Sequence, residues 1–209
     1  MGENNMKKYI HPICDGSNLD EGFGFRIQNL FITAAHVISC MKKPIVRIDG
    51  VEHVLYKQDA LLYSSYTDEF HDSNKCDIAV YKLNCERSPL EFSINIPEVK
   101  DSVECITLKH SVSQTNNSNL WGLSQNILEL RKISGVVIDV SDNYIYCRMN
   151  DASLHKGNSG SPVLWKDKVV GVLSAGENDL CAFQHFKPIG LKLVGVDNDM
   201  NHESLLEKE

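Results

Sequence analysis

The 209-residue sequence lacks long apolar segments and clusters of basic side chains. No stretch approaches the ~20 apolar residues that a membrane-spanning helix requires. The chain carries 28 acidic against 21 basic side chains, which gives a formal net charge of -7. Since proteins bind a nucleic-acid backbone through clustered lysine and arginine, we expect neither a membrane nor a nucleic acid as the main partner.

The sequence also lacks Cys-x-x-Cys pairs, and its seven cysteines are an odd number for a disulfide framework. His11 and Cys14 have the spacing of metal ligands, but no second such pair accompanies them, so no metal site is expected. The polar N-terminus, Met1 to Lys8, has no apolar run of the kind found in a secretory signal. We therefore expect mostly reduced cysteines and a cytoplasmic protein.

Stretches with helical periodicity are few as well. Short apolar, β-branched segments separated by turn residues dominate instead, which favours an all-β barrel or sandwich. Three hairpins are predicted, with turns at 49–50, 141–143 and 166–168, and the first of these is an Asp-Gly pair suited to positive φ. Residues 88–100 contain two prolines and little alternation. They are predicted to connect an N-terminal unit, residues 1–97, to a C-terminal unit, residues 98–209, which ends in a short polar tail.

The most informative segment is 157–162, which reads Gly-Asn-Ser-Gly-Ser-Pro. It is typical of a nucleophilic serine, Ser159, on a tight turn flanked by glycines. A serine hydroxyl at its ordinary pKa is a poor nucleophile, so chemistry at this position needs a histidine base and a group that orients the base.

A candidate base lies upstream, in an apolar segment at 30–37 that ends in two alanines, His36 and a valine. We expect this segment to be a buried strand, with His36 at its end on a rigid support. Taken alone, any one of the eight histidines would more commonly be a core or surface residue.

Asp77 is the candidate orienting acid, because it enters the apolar segment 78–83. A carboxylate there is costly unless it is paired, and a hydrogen bond to the His36 ring would satisfy it and stabilise an imidazolium. Asp68 and Asp72 compete for this role, although they lie in a polar stretch with no apolar strand behind them. Taken alone, such an aspartate would more commonly be an exposed residue at the start of a strand.

In these three segments the chain resembles the chymotrypsin-like (trypsin-fold) serine peptidases, in which histidine, aspartate and serine occur in that chain order. The resemblance covers roughly residues 22–191. It implies two packed antiparallel six-stranded β-barrels with the active site in the cleft between them, His36 and Asp77 in the first and Ser159 in the second. It also implies that the N–H groups of Gly157 and Ser159 form an oxyanion hole.

The α/β-hydrolases also carry a nucleophilic serine, in the pattern Gly-x-Ser-x-Gly between a strand and a helix. Here Ser161 stands at the second glycine, the next residues read as a strand, and the histidine precedes the serine. The α/β-hydrolase alternative is therefore excluded.

Two features concern activation and specificity. Digestive members of the family carry an aspartate before the serine, which pairs with a newly released N-terminus, whereas this chain has Asn158. We therefore expect a non-zymogen enzyme, closer to the bacterial members. Alignment to the family implies substrate-binding residues at the floor and the wall of the primary pocket, with an uncharged residue preferred at P1; they are Ser153, Ser174, Ala175 and Gly176.

The resulting hypothesis is a serine endopeptidase that cleaves protein or peptide substrates through an acyl-enzyme and needs no cofactor or metal. Two alternatives stay open. One is a catalytically idle trypsin-like fold that serves as a binding module. The other is a protease effector domain of a larger bacterial stress or phage-defence system, restrained by a regulatory protein partner.

Overall fold

The computed structural model describes residues 6–15, 20–64, 76–112, 126–151, 154, 157–188 and 190. Within these ranges the N-terminal strands are β1 (Ile10–Cys14), β2 (Asp20–Ile27), β3 (Leu30–Thr33), β4 (Ile45–Ile48), β5 (Val51–Val54), β6 (Leu62–Ser64) and β7 (Ile78–Lys82). The C-terminal strands are β8 (Ser102–Val112), β9 (Asn126–Val140), β10 (Tyr144–Met149), β11 (Pro162–Trp165), β12 (Lys168–Glu177) and β13 (Leu180–His185). A short helix, α1 (Ala35–Cys40), follows β3, and 3-10 turns lie at Lys7–Tyr9 and Lys57–Asp59.

The strands form two antiparallel units, which confirms the predicted all-β fold class. The first is a seven-stranded sheet in the order β5-β4-β1-β2-β3-β7-β6, and the second is a closed six-stranded barrel in the order β10-β13-β12-β11-β8-β9. Over the described residues, β5 and β6 are the two edges of the first unit, so this unit has one strand more than expected and forms a half-barrel. The predicted boundary between residues 97 and 98 falls between β7 and β8 and stays a prediction.

A continuous apolar core joins the two units. The larger cluster of buried side chains is built on β1, β2, β3 and β7, but it also includes Leu164, Val172 and Phe186 from the second unit. A smaller cluster fills the barrel itself and includes Cys105, Cys147 and Phe183. Burial of apolar surface is the dominant favourable term in packing one sheet on another, so the shared cluster holds the two units face to face.

Two predicted hairpins have the two-residue turns whose twist suits antiparallel strands. Asp49 and Gly50 join β4 to β5 with φ values of 50° and 82°. Lys166 and Asp167 join β11 to β12 with φ values of 50° and 63°. This turn is one residue shorter than the predicted 166–168, because Lys168 already belongs to β12. The predicted turn at 141–143 joins β9 to β10.

The segment that carries His36 differs from the expected strand. Strand β3 ends at Thr33, and after the extended residue Ala34 the chain enters α1, where the Val37 N–H donates to the Ala34 carbonyl at 3.2 Å. The expectation that His36 would stand at the end of a strand was therefore wrong, since it lies in the first turn of a helix. Ala35, the first residue of α1, favours helix, whereas the β-branched residues Ile32 and Thr33 before it favour strand. None of the described helices is long and apolar enough to cross a membrane.

Candidate active site

Asp77 holds His36 by both the ring and the backbone. Its Oδ2 lies 2.7 Å from His36 Nδ1, and its Oδ1 accepts the backbone N–H of His36 at 2.9 Å. Asp77 is fully buried, whereas the His36 side chain is 24% exposed. When Nδ1–H donates to the carboxylate, the basic lone pair of the imidazole is on Nε2. The contacts with Asp77 therefore fix the tautomer and the orientation of the His36 ring.

The charge of Asp77 is compensated by the second unit as well. The hydroxyl of Ser174, on β12, donates to Asp77 Oδ2 at 2.5 Å, and the backbone N–H of Asp77 donates to the side-chain oxygen of Gln184 at 3.0 Å. The bond from Ser174 is a charge-assisted hydrogen bond of the kind that a buried carboxylate needs, whereas the bond to Gln184 holds the backbone of Asp77. Ser174 was predicted to bind substrate, and this stays a prediction. Its hydroxyl contacts the acid.

The serine turn is fixed by both units. The backbone carbonyl of Ser159 accepts a hydrogen bond from the N–H of Phe23, on β2, at 2.8 Å. The N–H of Gly160 donates to the Leu173 carbonyl, on β12, at 2.8 Å. Gly160 has a φ of +87°, and a Cβ placed there would lie 1.8 Å from the Phe23 carbonyl oxygen. Only glycine fits this position, because a side chain would push the turn away from β2.

Gly157 needs glycine for another reason. Its φ is +101°, a conformation that other residues rarely adopt, and a Cβ placed on it would meet no atom of the described residues within 4 Å. Backbone conformation therefore selects glycine here. The predicted use of the Gly157 and Ser159 N–H groups as an oxyanion hole stays a prediction.

Asn158 is anchored inside the barrel. Its Nδ2 donates to the hydroxyl oxygen of Thr107, on β8, at 3.0 Å, and the Ser161 hydroxyl donates to the same oxygen at 3.0 Å. Thr107 is 1% exposed and Ser161 is fully buried. Sequence reasoning missed Thr107, although a hydroxyl within the buried run of β8 is a signal that a polar partner must be near.

Gly22, on β2, lies against both the serine turn and Val37, the residue after His36. A Cβ built on it would lie 2.7 Å from a methyl carbon of Val37 and 3.0 Å from the carbonyl oxygen of Ser159. Val37 follows His36 directly in α1. The structure thus places α1 and the Ser159 turn against the same glycine.

The remaining predicted site residues lie along β12 or outside the described residues. From Lys168 to Val172, β12 is hydrogen-bonded to β11 on one side and, at its end, to β13 on the other. Beyond this point Ala175 and Gly176 pair only with β13 among the described residues. Among the described residues no strand pairs with their other edge. Ser153 lies outside the described residues.

Comparison with known proteins supports the same fold. A family model described as Trypsin matches residues 15–188. No curated protein sequence matches the chain.

Several solved structures share the architecture at low sequence identity. Tobacco vein mottling virus protease has a TM-score of 0.59 at 15% identity, with 89% of this chain and 80% of that chain covered. Rv3671c from M. tuberculosis, in its inactive form, has a TM-score of 0.56 at 14% identity, with 94% and 92% covered. The scabies mite inactivated protease paralogue S-I1 has a TM-score of 0.59 at 14% identity, with 95% and 97% covered. At these identities the likeness extends to the fold alone.

Proposed function

The chain belongs to the trypsin family, and we propose that it is a serine endopeptidase that hydrolyses peptide bonds in protein substrates. The observation that carries the proposal is the double contact of a fully buried Asp77 with the ring and the backbone of His36. Burying a carboxylate in a hydrophobic interior is costly, and one that is hydrogen-bonded to a partly exposed histidine is suited to stabilising an imidazolium during proton transfer.

In the proposed reaction, Ser159 Oγ attacks the substrate carbonyl carbon while His36 Nε2 takes the hydroxyl proton. The proton then passes from His36 to the leaving amine, the peptide C–N bond breaks and an acyl-enzyme forms. A water molecule attacks the ester in the second half, and His36 again takes and returns a proton. Asp77 keeps its negative charge throughout and stabilises the positively charged ring.

The N–H groups of Gly157 and Ser159 are proposed to stabilise the oxyanion that forms on the substrate carbonyl. The positive φ of Gly157 turns the peptide at the start of the serine turn, and the bonds from Phe23 and to Leu173 hold the turn in place. Donors that are fixed before the reaction are effective because they need no reorganisation when charge develops.

Substrate is proposed to bind as an extended strand beside β12. The open edge at Ala175 and Gly176 offers backbone groups for such pairing, the mode called β-augmentation. Ser174 precedes these residues, and Ser153 is proposed as the floor of the primary pocket. Without an acidic residue at the floor, an uncharged P1 residue is the proposed preference.

We infer that activation needs no released N-terminus. The side chain of Asn158 is bonded to Thr107 within the barrel, so the turn has a support from its own domain where digestive relatives require an ion pair. On this ground we propose a non-zymogen enzyme of the bacterial type that acts in the cytoplasm, where a regulatory protein partner would restrain it.

Labelling with a fluorophosphonate probe tests the proposal. The wild-type protein should be labelled at Ser159, as located by mass spectrometry of its peptides, and Ser159→Ala should not be labelled. Equal labelling of both proteins, or no labelling of a folded wild type, would instead favour the idle fold that serves as a binding module.

Cleavage of a peptide library by the wild type, with Ser159→Ala as the control, tests specificity. A strong preference for arginine or lysine at P1 would contradict the proposed uncharged preference, while leaving the endopeptidase itself in place.

A further inference from the structure

Two consecutive residues that lead into β7 are bound by three residues of the second unit. The Cys76 thiol donates to Asn143 Oδ1 at 3.5 Å, the Asp77 N–H donates to Gln184 Oε1 at 3.0 Å, and the Ser174 hydroxyl donates to Asp77 Oδ2 at 2.5 Å. Asp77 is therefore attached to the second unit by its backbone as well as by its carboxylate.

Gln184 makes the backbone attachment, and its side chain has a defined orientation. The Nε2 group donates to the carbonyls of Asn143 at 2.9 Å and His185 at 3.0 Å. Exchanging its oxygen and nitrogen would place an oxygen against two carbonyls and an NH₂ group against the N–H of Asp77. The amide can satisfy all three partners in one orientation only.

The position of Gln184 on β13 explains why it faces the first unit. Successive side chains of a strand point to opposite faces, and its neighbour Phe183 lies in the core of the barrel. Gln184 is fully buried, and a polar side chain at such a site is costly unless it is bonded. Because its bonds join the β9–β10 turn, β13 and the peptide of Asp77, this glutamine connects the interior of the second unit to the acid of the first.

We propose that Gln184 is a positioning residue that sets Asp77, and through it His36, relative to the unit that carries Ser159. The inference rests on the proposed function, in which these groups act together. Ser174 restrains the carboxylate end of Asp77, and Gln184 restrains the backbone end. With both ends held, the carboxylate cannot rotate away from the His36 ring.

Gln184→Met tests the proposal, because methionine has a similar length and none of the hydrogen bonds. Phe183→Leu is the matched control: it perturbs the adjacent residue of the same strand, on the face that points away from Asp77. We expect Gln184→Met to lower kcat by ~10 to 100-fold through misplacement of the base, with KM little changed. Phe183→Leu should lower the melting temperature and leave kcat near the wild-type value.

A proton NMR measurement reports the Asp77–His36 contact without requiring activity. The His36 Nδ1–H that donates to a carboxylate should give a low-field resonance, assigned by its loss in Asp77→Asn. Gln184→Met should broaden or abolish this resonance, and Phe183→Leu should retain it. A Gln184→Met protein that keeps the resonance and kcat of Phe183→Leu would overturn the proposal.

The two proposals fail in different ways. If the wild type is not labelled by a fluorophosphonate but its resonance responds to Gln184→Met, the peptidase assignment fails and the positioning of Asp77 stands. If the wild type is labelled and cleaves peptides while Gln184→Met behaves like Phe183→Leu, only the positioning role fails.

Discussion

The side-chain amide of Asn158 lies 3.0 Å from the hydroxyl oxygen of Thr107, on a strand of the same barrel. This bond, together with that from Ser161 to the same oxygen, ties the residues on either side of Ser159 to β8. One buried hydroxyl of the barrel therefore supports the turn, in addition to the backbone bonds with Phe23 and Leu173.

Replacing Thr107 tests this support. Thr107→Val keeps the shape but leaves two donors without this acceptor, and a buried polar group without a partner costs about 1 to 3 kcal/mol. We expect a loss of that size in the free energy of unfolding, measured with urea. If the oxyanion donors shift with the turn, kcat should fall by up to about 100-fold.

Thr107→Ser is the matched control, since it keeps the acceptor and removes only a methyl group. It should stay within about 1.5 kcal/mol of the wild type and retain most of kcat. A valine variant as active and as stable as the serine variant would show that the hydroxyl does not support the turn.

The fold class and the contact of Asp77 with His36 could be anticipated from local features of the sequence. Strand segments show β-branched apolar runs, turns show Asp-Gly or similar pairs, and a buried acid next to an apolar run must find a partner. Thr107 carries a weaker signal, a hydroxyl within a buried strand, which does not identify its partner 51 positions away in the same barrel. The contact of Gln184 with Asp77 joins residues 107 positions apart and depends on how the two units pack, which a local pattern does not encode. The helix at His36 was missed since only Ala35 favours helix within an otherwise strand-like run.

Two glycines with similar φ values separate backbone strain from crowding. Gly50 has a φ of +82° with nothing near a built Cβ, whereas Gly160 has a φ of +87° and the Phe23 carbonyl oxygen at 1.8 Å. Gly50→Ala should cost only the left-handed conformation, about 1 to 2 kcal/mol.

Gly160→Ala should cost clearly more, because the added methyl group must also displace β2 from the serine turn. Urea unfolding of the two variants gives the comparison. Equal losses of stability would mean that the turn can move away from Phe23 at no cost. That result would contradict the close packing of the Ser159 turn against β2.

Asp77→Asn should nearly abolish turnover while leaving the protein folded. An amide can donate to Nδ1 and so favours the tautomer whose Nε2 carries a proton and cannot accept one from Ser159. We expect kcat to fall by about 10⁴-fold, the loss typical of such a change in a serine triad. Asp139→Asn is a suitable control, because Asp139 is an exposed residue of β9 whose carboxylate contacts only the neighbouring N–H among its described bonds. A small effect of Asp77→Asn on kcat would contradict the proposed mechanism.

His11 should make the folded state less stable in acid. It is buried on β1 beside Phe31, and burial, together with the nearby charge of Arg26, lowers the pKa of its imidazole to about 4 from 6.5. Between these values the unfolded chain binds a proton that the folded chain does not, so the free energy of unfolding falls as the pH falls.

The His11 contribution to this loss amounts to at most about 3 kcal/mol between pH 6.5 and pH 4. His11→Leu keeps an apolar side chain on β1 and cannot be protonated, so its urea unfolding should depend less on pH over that range. Part of the slope should persist, because burial also lowers the pKa of His185. Since His11 has no role in the proposed chemistry, His11→Leu should keep the wild-type kcat at neutral pH. A variant with the same pH slope as the wild type would show that another group controls acid stability.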